Sequence, residues 1–394
     1  MEYNDFYDRN YTALVKGEGK RPLTKIEVLN HNETPMYDIS NDVIIGSDSI
    51  SITYAQGVQG KASFDVVNRD HKYDIGEDCP FWIGNKLKIY KGIEDSRTGD
   101  IYWFTKGIFV ATNVSSKGDI ISVDAVDKFG LLTSETGAAC FENNAEVGEG
   151  YTLQSFFTDV LRQDKGNGYP TDPKSPIIDF SARKVVIGEM ITASAGSYVG
   201  DIFVDVANSV RCRIYYNNFG NLVLQRPDAD FAYSTKVPVW FFNDKTDKEF
   251  ISLDLNYDFA NVKNRVTVWG EDFNGVSYVA TVVDDNPKSP VRVSKVGYRV
   301  ENTVEDMFGY DQKKINDFAK MYLQMKEIVG LSINATCTTI PNLNVEDVVE
   351  IHSEKYSMDG ERFLIIGINY NGNEMKLSLT NVDYLPQYKE MNGR

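Results

Sequence analysis

The clearest alternation of apolar and polar residues lies between Ser47 and Asp70, SDSISITYAQGVQGKASFDVVNRD. Ile50, Ile52 and Tyr54 share one side and Ser49, Ser51 and Thr53 the other, the period of two expected of a half-buried strand. Ala62, Phe64 and Val66 repeat it, and Asn68 and Asp70 end it. Between the two runs, the stretch 56–60 supplies two glycines where a hairpin needs unusual backbone angles. The same texture predicts a first strand over Leu23–Leu29. Beyond a turn bracketed by Pro80 and Gly84, Leu87 and Ile89 alternate with lysines. An apolar triplet, Tyr102–Phe104, precedes strands over Gly107–Val114 and Ile120–Val126, joined by a turn at Ser115–Asp119. A short helical turn over Asp127–Leu131 closes an all-β module of roughly six strands. Ahead of it, Met1–Lys20 is polar and reads as a loosely structured lead-in.

From Thr133 the period changes. Leu153, Phe156, Phe157, Val160 and Leu161 form a helical stripe over Thr152–Arg162, with Thr152 as N-cap. The glycines and prolines of Gly166–Pro176 make a loop. Val199, Ile202, Phe203, Val206 and Val210 mark a second helix over Ser197–Val210, and Arg213–Tyr216 with Leu222–Leu224 a hairpin. Alternation returns in Val262–Gly270 and Ser277–Val283, paired through Glu271–Gly275. A long helix follows over Tyr310–Val329, with Ile315, Phe318, Ala319, Tyr322, Leu323 and Met325 at helical spacing and Gly330 stopping it. Strands resume at Leu331–Cys337, Val348–His352, Phe363–Tyr370 and Met375–Leu379.

Part of this pattern occurs twice. Ile121, Ser122, Val123, then Val126 and Asp127, match Leu377, Ser378, Leu379, then Val382 and Asp383 in class and spacing. Each run follows a strand and a glycine-bearing turn, and upstream of each lies an alternating strand, Lys86–Tyr90 or Asp347–His352. One such match is ordinary hairpin grammar; the ordered series reads as a duplication. A trimer of chains with two similar modules would present six around one axis, a quasi-sixfold ring from a threefold object.

The bulk numbers narrow the function. A chain of 394 residues suggests two or three domains and a sizeable core. The 42% hydrophobic and 25% charged residues are those of an ordered globular protein, and the 12% aromatic share leans toward β structure. A formal charge of -16 argues against binding that tracks nucleic-acid phosphates. Cys79, Cys140, Cys212 and Cys337 are widely spaced, with no CxxC pair, so neither a zinc knuckle nor a redox motif is indicated. The polar start MEYNDFYDRN lacks a signal-peptide core, which points to synthesis in a reducing cytoplasm, and no apolar run reaches membrane-spanning length.

Candidate chemistry is sparse. Gly17, Gly19 and Lys20 lack the spacing and the following Ser or Thr of a phosphate-binding loop. His31, His71 and His352 are the only histidines. Asp74, three residues after His71, is the nearest approach to a ligand pair, short of a hydrolytic zinc motif. No G-x-S-x-G elbow occurs. The 57 acidic residues allow a lysozyme-like carboxylate pair, though solvated surface acids are the simpler reading. Asp284 and Asp285 beside Asn286 suit a cation, but the prolines at 287 and 290 favour a plain turn. Trp82, Trp103, Trp240 and Trp269 lie in or beside apolar segments and read as core rather than a sugar platform. No catalytic, cofactor-binding or metal-binding residue is nominated.

The run from KRPLTKIEVLN through SISITYAQGVQGKASFDVVNRD, GIFVATNV and DIISVDAVDKFGLL resembles the baseplate hub family of phage tails and tail-like particles. DIFVDVANSVRCRIYYNNFGNLVLQRP, NRVTVWG, DDNPKSP, TTIPNLNVEDVVEI and MKLSLTNVDYLP continue the likeness in the same order, from about Lys20 to Pro386. The expected fold is a β-rich α+β multidomain chain. A tube-like β-barrel (1–137), an inserted α+β domain (138–235) and a second barrel with a helical insertion (236–394) would make it up. The resemblance implies a non-enzymatic homotrimer in the tail tip or baseplate, with tail tube or distal tail adaptor proteins above and a central spike below. Tape-measure and baseplate wedge proteins would be further neighbours, and DNA would pass through without specific binding. The alternatives are a cell-wall hydrolase and a glycan-binding module.

Overall fold

The structure is a computed structural model that describes residues 9–136, 140–141, 144–147, 150–161, 172–180, 182–187, 191–210, 212–225, 236–255, 262–271, 275–300, 304–305, 311–330, 332–382 and 388–391. These fall into two compact units. The first comprises the described part of 1–226 together with Cys337–Leu343 and Gly367–Met375, and the second comprises the rest. Antiparallel sheets dominate, and the chain is a β-rich multidomain protein.

In the first unit, helix α1 (Arg9–Lys16) precedes strands β1 (Lys20–Leu29), β2 (Pro35–Asp38), β3 (Ser49–Thr53), β4 (Gly60–Val67), β5 (Lys86–Asp95), β6 (Ile101–Lys117) and β7 (Ile120–Asp127). The α1 helix corrects the expectation of a loose lead-in, as far as that falls on described residues. Tyr11, Leu14 and Val15 stand three and four apart on one helical face and are buried. The Tyr11 ring packs 5.2 Å from that of Phe104, and its hydroxyl donates to Asn342 Oδ1 at 2.9 Å.

The sheet runs Gly367–Asn371, β3, β4, β7, β6, β5, β1, β2, antiparallel throughout. The predicted hairpin is β3–β4, with Ile50 opposite Ala62 and the side chains of Ala62, Phe64 and Val66 in the core. Of its two glycines, Gly57 alone has a left-handed backbone, φ +72°; Gly60 is an ordinary strand residue pressed against Phe109 and Asp127. The separate strands expected around Tyr102–Phe104 and Gly107–Val114 are one strand, β6. It stays continuous because it absorbs two irregularities, at Lys106 and at Thr112.

Within the same unit the α+β module has helices Leu153–Leu161 and Val199–Ser209 and the hairpin Arg213–Tyr216 with Leu222–Gln225. Thr152 Oγ1 accepts from the Ser155 amide, the N-cap read from the sequence. Phe156, Phe157 and Phe203 interlock edge to face in its core. Most of the loop expected over Gly166–Pro176 lies outside the described residues.

In the second unit, Trp240–Asn243 runs parallel to Val348–Ser353, which pairs with the start of Met358–Asn371. Phe250–Leu255 lies beside Ser332–Thr338, which lies beside Glu374–Asn381. A second sheet pairs Arg265–Glu271 with Ser277–Asp284, as predicted. The helix Gln312–Gly330 covers one face of it, setting Ile315, Ala319 and Leu323 against Val266, Val268, Ala280 and Val282.

Asp127 ties the first module together. Its Oδ2 accepts from the amides of Gln59 (2.7 Å) and Gly60 (2.6 Å) in the hairpin loop. Its Oδ1 accepts from the Phe129 amide and so caps the short turn Lys128–Leu132. Burial pushes the carboxyl up to about 6, while the three N–H groups hold it lower than burial alone would. A carboxyl raised on folding favours the folded chain most below its unfolded pKa near 4, and that contribution is lost as pH rises through about 6. Urea unfolding of wild type and Asp127→Asn should show their stability difference shifting against the wild type by on the order of 3 kcal/mol between about pH 4 and pH 7.

Candidate functional site

The two β modules repeat each other in detail. In β6 the extra residue against β5 is Lys106, twelve residues before the turn glycine Gly118; in Met358–Asn371 it is Gly360, twelve before Gly372. Both turns are two residues long, Gly118–Asp119 and Gly372–Asn373, with φ +59° and +57° at the glycines. Aligned on those glycines, Phe109 falls on Phe363, Ile121 on Met375, Val123 on Leu377 and Ala125 on Leu379, all buried. The match of Ile121-Ser122-Val123 with Leu377-Ser378-Leu379 is therefore two residues out of register. An even slip keeps the same face inward, which is why the pattern survives it. Asp383 lies outside the described residues.

The neighbours repeat as well. β4 beside β7 corresponds to Ser332–Thr338 beside Glu374–Asn381, and β3 beside β4 to Phe250–Leu255 beside Ser332–Thr338. The copies also differ: β1 is antiparallel to β5, whereas Trp240–Asn243 runs parallel to Val348–Ser353. In the first unit, the C-terminal half of the second repeat's long strand, Gly367–Asn371, pairs with β3. The equivalent half of β6, Val110–Lys117, pairs with β7 alone among the described strands. Phe250–Leu255, the counterpart of β3, is an edge strand with Ile251 and Leu255 exposed. Among the described strands both are open hydrogen-bonding edges.

A buried charge network fixes the α+β module beside β5 and β7 in the first unit. Lys86 and Lys128 both contact Glu33 Oε1, Lys86 at 3.1 Å, and Lys174 reaches Oε2 at 2.8 Å. Lys128 also pairs with Asp172 at 2.9 Å, and Asp172 accepts from the Tyr216 hydroxyl at 2.6 Å. The side chains of Glu33, Lys128 and Asp172 are 4%, 1% and 2% exposed. Burial alone would raise the Glu33 carboxyl, but the ammonium groups of Lys128 and Lys86 bring it below its ordinary value. Lys86 is lowered, by burial first and the Lys128 charge next. Gln56 adds a neutral link: its side chain donates to Asn208 Oδ1 and the Cys212 carbonyl and accepts from the Ile214 amide.

Lys86 reads from the sequence as the polar side of an alternating strand, and it is buried, as is Lys128. Lys91 is similar: it pairs with Asp48 at 2.6 Å and donates to the Gly372 carbonyl. Lys106, re-aimed by its bulge, donates to the Leu343 carbonyl at 3.0 Å and lies over the Tyr370 ring. No local signal marks them, because the partners Glu33, Asp48 and Leu343 come from distant turns.

The residues weighed for chemistry are dispersed. His71 and Asp74 form an exposed pair at 3.2 Å on one turn. His352 contacts Glu350 at 2.8 Å, a hydrogen bond that raises the imidazole above its usual value. His31 lies on an exposed turn, where its carbonyl accepts from Lys86. Among the described residues no three His, Cys, Asp or Glu side chains are placed to hold a metal ion. Asp284 Oδ1 accepts from the Asn286 amide and Asn286 Oδ1 from the Lys288 amide, the turn expected there. Helix α1 ends ahead of Gly19 and Lys20 opens β1, whereas a phosphate loop leads into a helix. Of the four tryptophans only Trp240 is a core residue. Trp103 and Trp269 are half-buried, and Trp82 is 40% exposed because Phe81 before it takes the inward position. The four cysteines are free thiols. Among the described residues no helix is long and apolar enough to cross a membrane.

No protein-family model and no curated protein matches this sequence. Solved structures do. The tail protein of Neisseria meningitidis MC58 aligns over 92% of this chain and 99% of its own, at 14% identity and a TM-score of 0.60. The 43 kDa tail protein of prophage MuSo2 from Shewanella oneidensis aligns over the same shares at 14% identity and 0.57. The fold is that of a prophage tail protein. A chain of the Francisella PdpA-VgrG complex, half-lidded, aligns over 98% of this chain and 62% of its own, at 12% identity and 0.50. The expected resemblance to phage tail proteins thus holds at the level of the fold.

Replacing Glu33 by Gln leaves the buried ammonium of Lys86 without its carboxylate and that of Lys128 with Asp172 alone. Urea unfolding of Glu33→Gln should show a loss of about 3–5 kcal/mol, the range for breaking a buried ion pair from one side.

Proposed function

We propose that this protein is the structural hub of a phage tail or tail-like particle, located in the tail tip or baseplate and without catalytic activity. Three chains form a ring of six similar β modules. The ring meets a sixfold tail tube or adaptor on one side and a threefold central spike on the other, with tape-measure and wedge proteins as further neighbours. The chain divides into a first tube-like module (1–137), the inserted α+β module (138–235) and a second tube-like module (236–394).

The mismatch in the repeat carries this reading. Each long strand has a C-terminal half able to take a further strand. In the second repeat β3 fills that half, and in the first repeat Val110–Lys117 is left open. The strand equivalent to β3, Phe250–Leu255, is itself an unfilled edge. Pairing Phe250–Leu255 of one copy with Val110–Lys117 of the next repeats the β3 junction between chains. Alternating the two junctions closes a ring of modules without leaving an edge. The likeness to tail proteins along nearly their whole length supports the same assignment.

Light scattering behind size exclusion should give about 133 kDa, three chains of 44.4 kDa. Lysines at Ile251 and Leu255 should lower that mass without lowering the melting temperature. A dimer persisting at every concentration would overturn the ring.

A further inference from the structure

Two exposed apolar patches of opposite charge lie on the first unit. The first is the loop between β4 and β5. It is held from below: the Tyr73 amide donates to Asn68 Oδ1 at 2.7 Å, and Phe81 packs 6.0 Å from Phe64 and 5.7 Å from Tyr73. So anchored, it turns Ile75, Trp82 and Ile83 outward, the last 91% exposed. Exposed Asp70, Asp74, Glu77 and Asp78 share this loop with exposed Arg69, with Lys72, which is engaged by Asp42 at 2.8 Å, and with His71, which pairs with Asp74. The acids Glu77 and Asp78, near Trp82 in sequence, thus have no basic neighbour there in the chain.

The second patch is on the α+β module. Ile177, Phe180 and Val186 are exposed, Phe180 at 83%, and so is Tyr151 on the neighbouring segment. The Ile187 amide donates to the Tyr151 carbonyl and the Leu153 amide to that of Val185, which joins the two segments. Exposed Arg183 and Lys184 supply positive charge there, with Arg183 Nε braced on the Ile178 carbonyl at 2.9 Å.

Clustered apolar side chains facing solvent mark contact surfaces, and a tryptophan on a rigid support is a frequent centre of one. The first patch cannot face its own copy across a twofold axis, because its carboxylates would then oppose one another; an anionic membrane is disfavoured for the same reason. The second patch offers what the first lacks. We propose that the acidic loop around Trp82 docks on the basic, apolar patch around Phe180 of the next copy of this chain, head to tail. Such a contact joins two different surfaces, the kind that builds a cyclic ring when its rotation closes after three copies. It rests on the trimer reading, yet uses surfaces separate from the Val110–Lys117 and Phe250–Leu255 edges.

The test is charge reversal followed over a dilution series by sedimentation velocity at low and physiological salt. Glu77→Lys with Asp78→Lys, and separately Arg183→Glu with Lys184→Glu, should each raise the concentration at which the trimer dissociates by about tenfold or more at low salt. All four together restore opposite signs and should return it to within about threefold of wild type. Glu77 and Asp78 are exposed, so that pair should keep the wild-type melting temperature even if the Arg183 variant loses its brace. A wild-type trimer that neither reversal weakens, or that the fourfold variant weakens further, overturns the docking contact and leaves the ring intact. A wild-type chain that never associates overturns the ring and this contact with it.

Discussion

Two buried ammonium groups, Lys86 and Lys128, share the carboxylate of Glu33, and much of the first unit is arranged so that this can happen. Taking such charges out of water costs several kcal/mol each, so the site persists only with its partners in place. Those partners come from the turn after β1, the start of β5, the end of β7 and, through Asp172 and Tyr216, the α+β module. An apolar contact would tolerate sliding, whereas a set of directed ion pairs does not. The network therefore fixes the register in which the α+β module meets the sheet, with Gln56 acting from the hairpin loop as a second, uncharged fastening.

Much of the fold could be read along the chain. The β3–β4 hairpin, the helices at Leu153 and Val199 and the pairing of Arg265–Glu271 with Ser277–Asp284 follow from periods of two and 3.6, which local composition sets. Three things could not be read in that way. Helix α1 escaped because eight residues make little more than two turns, too short for a helical period to stand out. The bulges at Lys106 and Gly360 escaped because a single extra residue leaves the hydrophobic pattern almost intact. Buried lysines escaped because hydropathy assigns them to water, while their burial depends on acids and carbonyls far away in sequence. The tryptophans show the reverse error, since Trp82 follows an aromatic residue that fills the inward place.

The duplication was visible in outline but two residues out of register. Strand periodicity constrains register only modulo two, so side-chain class alone does not choose among even offsets. Backbone geometry supplies the missing constraint, through glycines with left-handed φ at Gly118 and Gly372 and a bulge at the same remove from each. Conformational demands of this kind identify equivalent positions more sharply than apolar pattern does. They also expose a place where the copies differ, the strand half filled by β3 in one repeat and open to the other described strands in the other.

The first unit is not continuous in sequence, because Cys337–Leu343 and Gly367–Met375 belong to it. Tyr11 bonds to Asn342, Lys91 to the Gly372 carbonyl, and β3 to Gly367–Asn371. On the ribosome this sets an order. At about 5–20 residues per second, roughly 8–30 s separate synthesis of residue 226 from that of residue 375, during which β3 lacks its outer neighbour and Lys91 one of its acceptors. A nascent chain in that interval offers an open strand edge. Premature pairing between chains on one message is thus a hazard built into the threading, and the short, serine-rich β3 is a poor template for it.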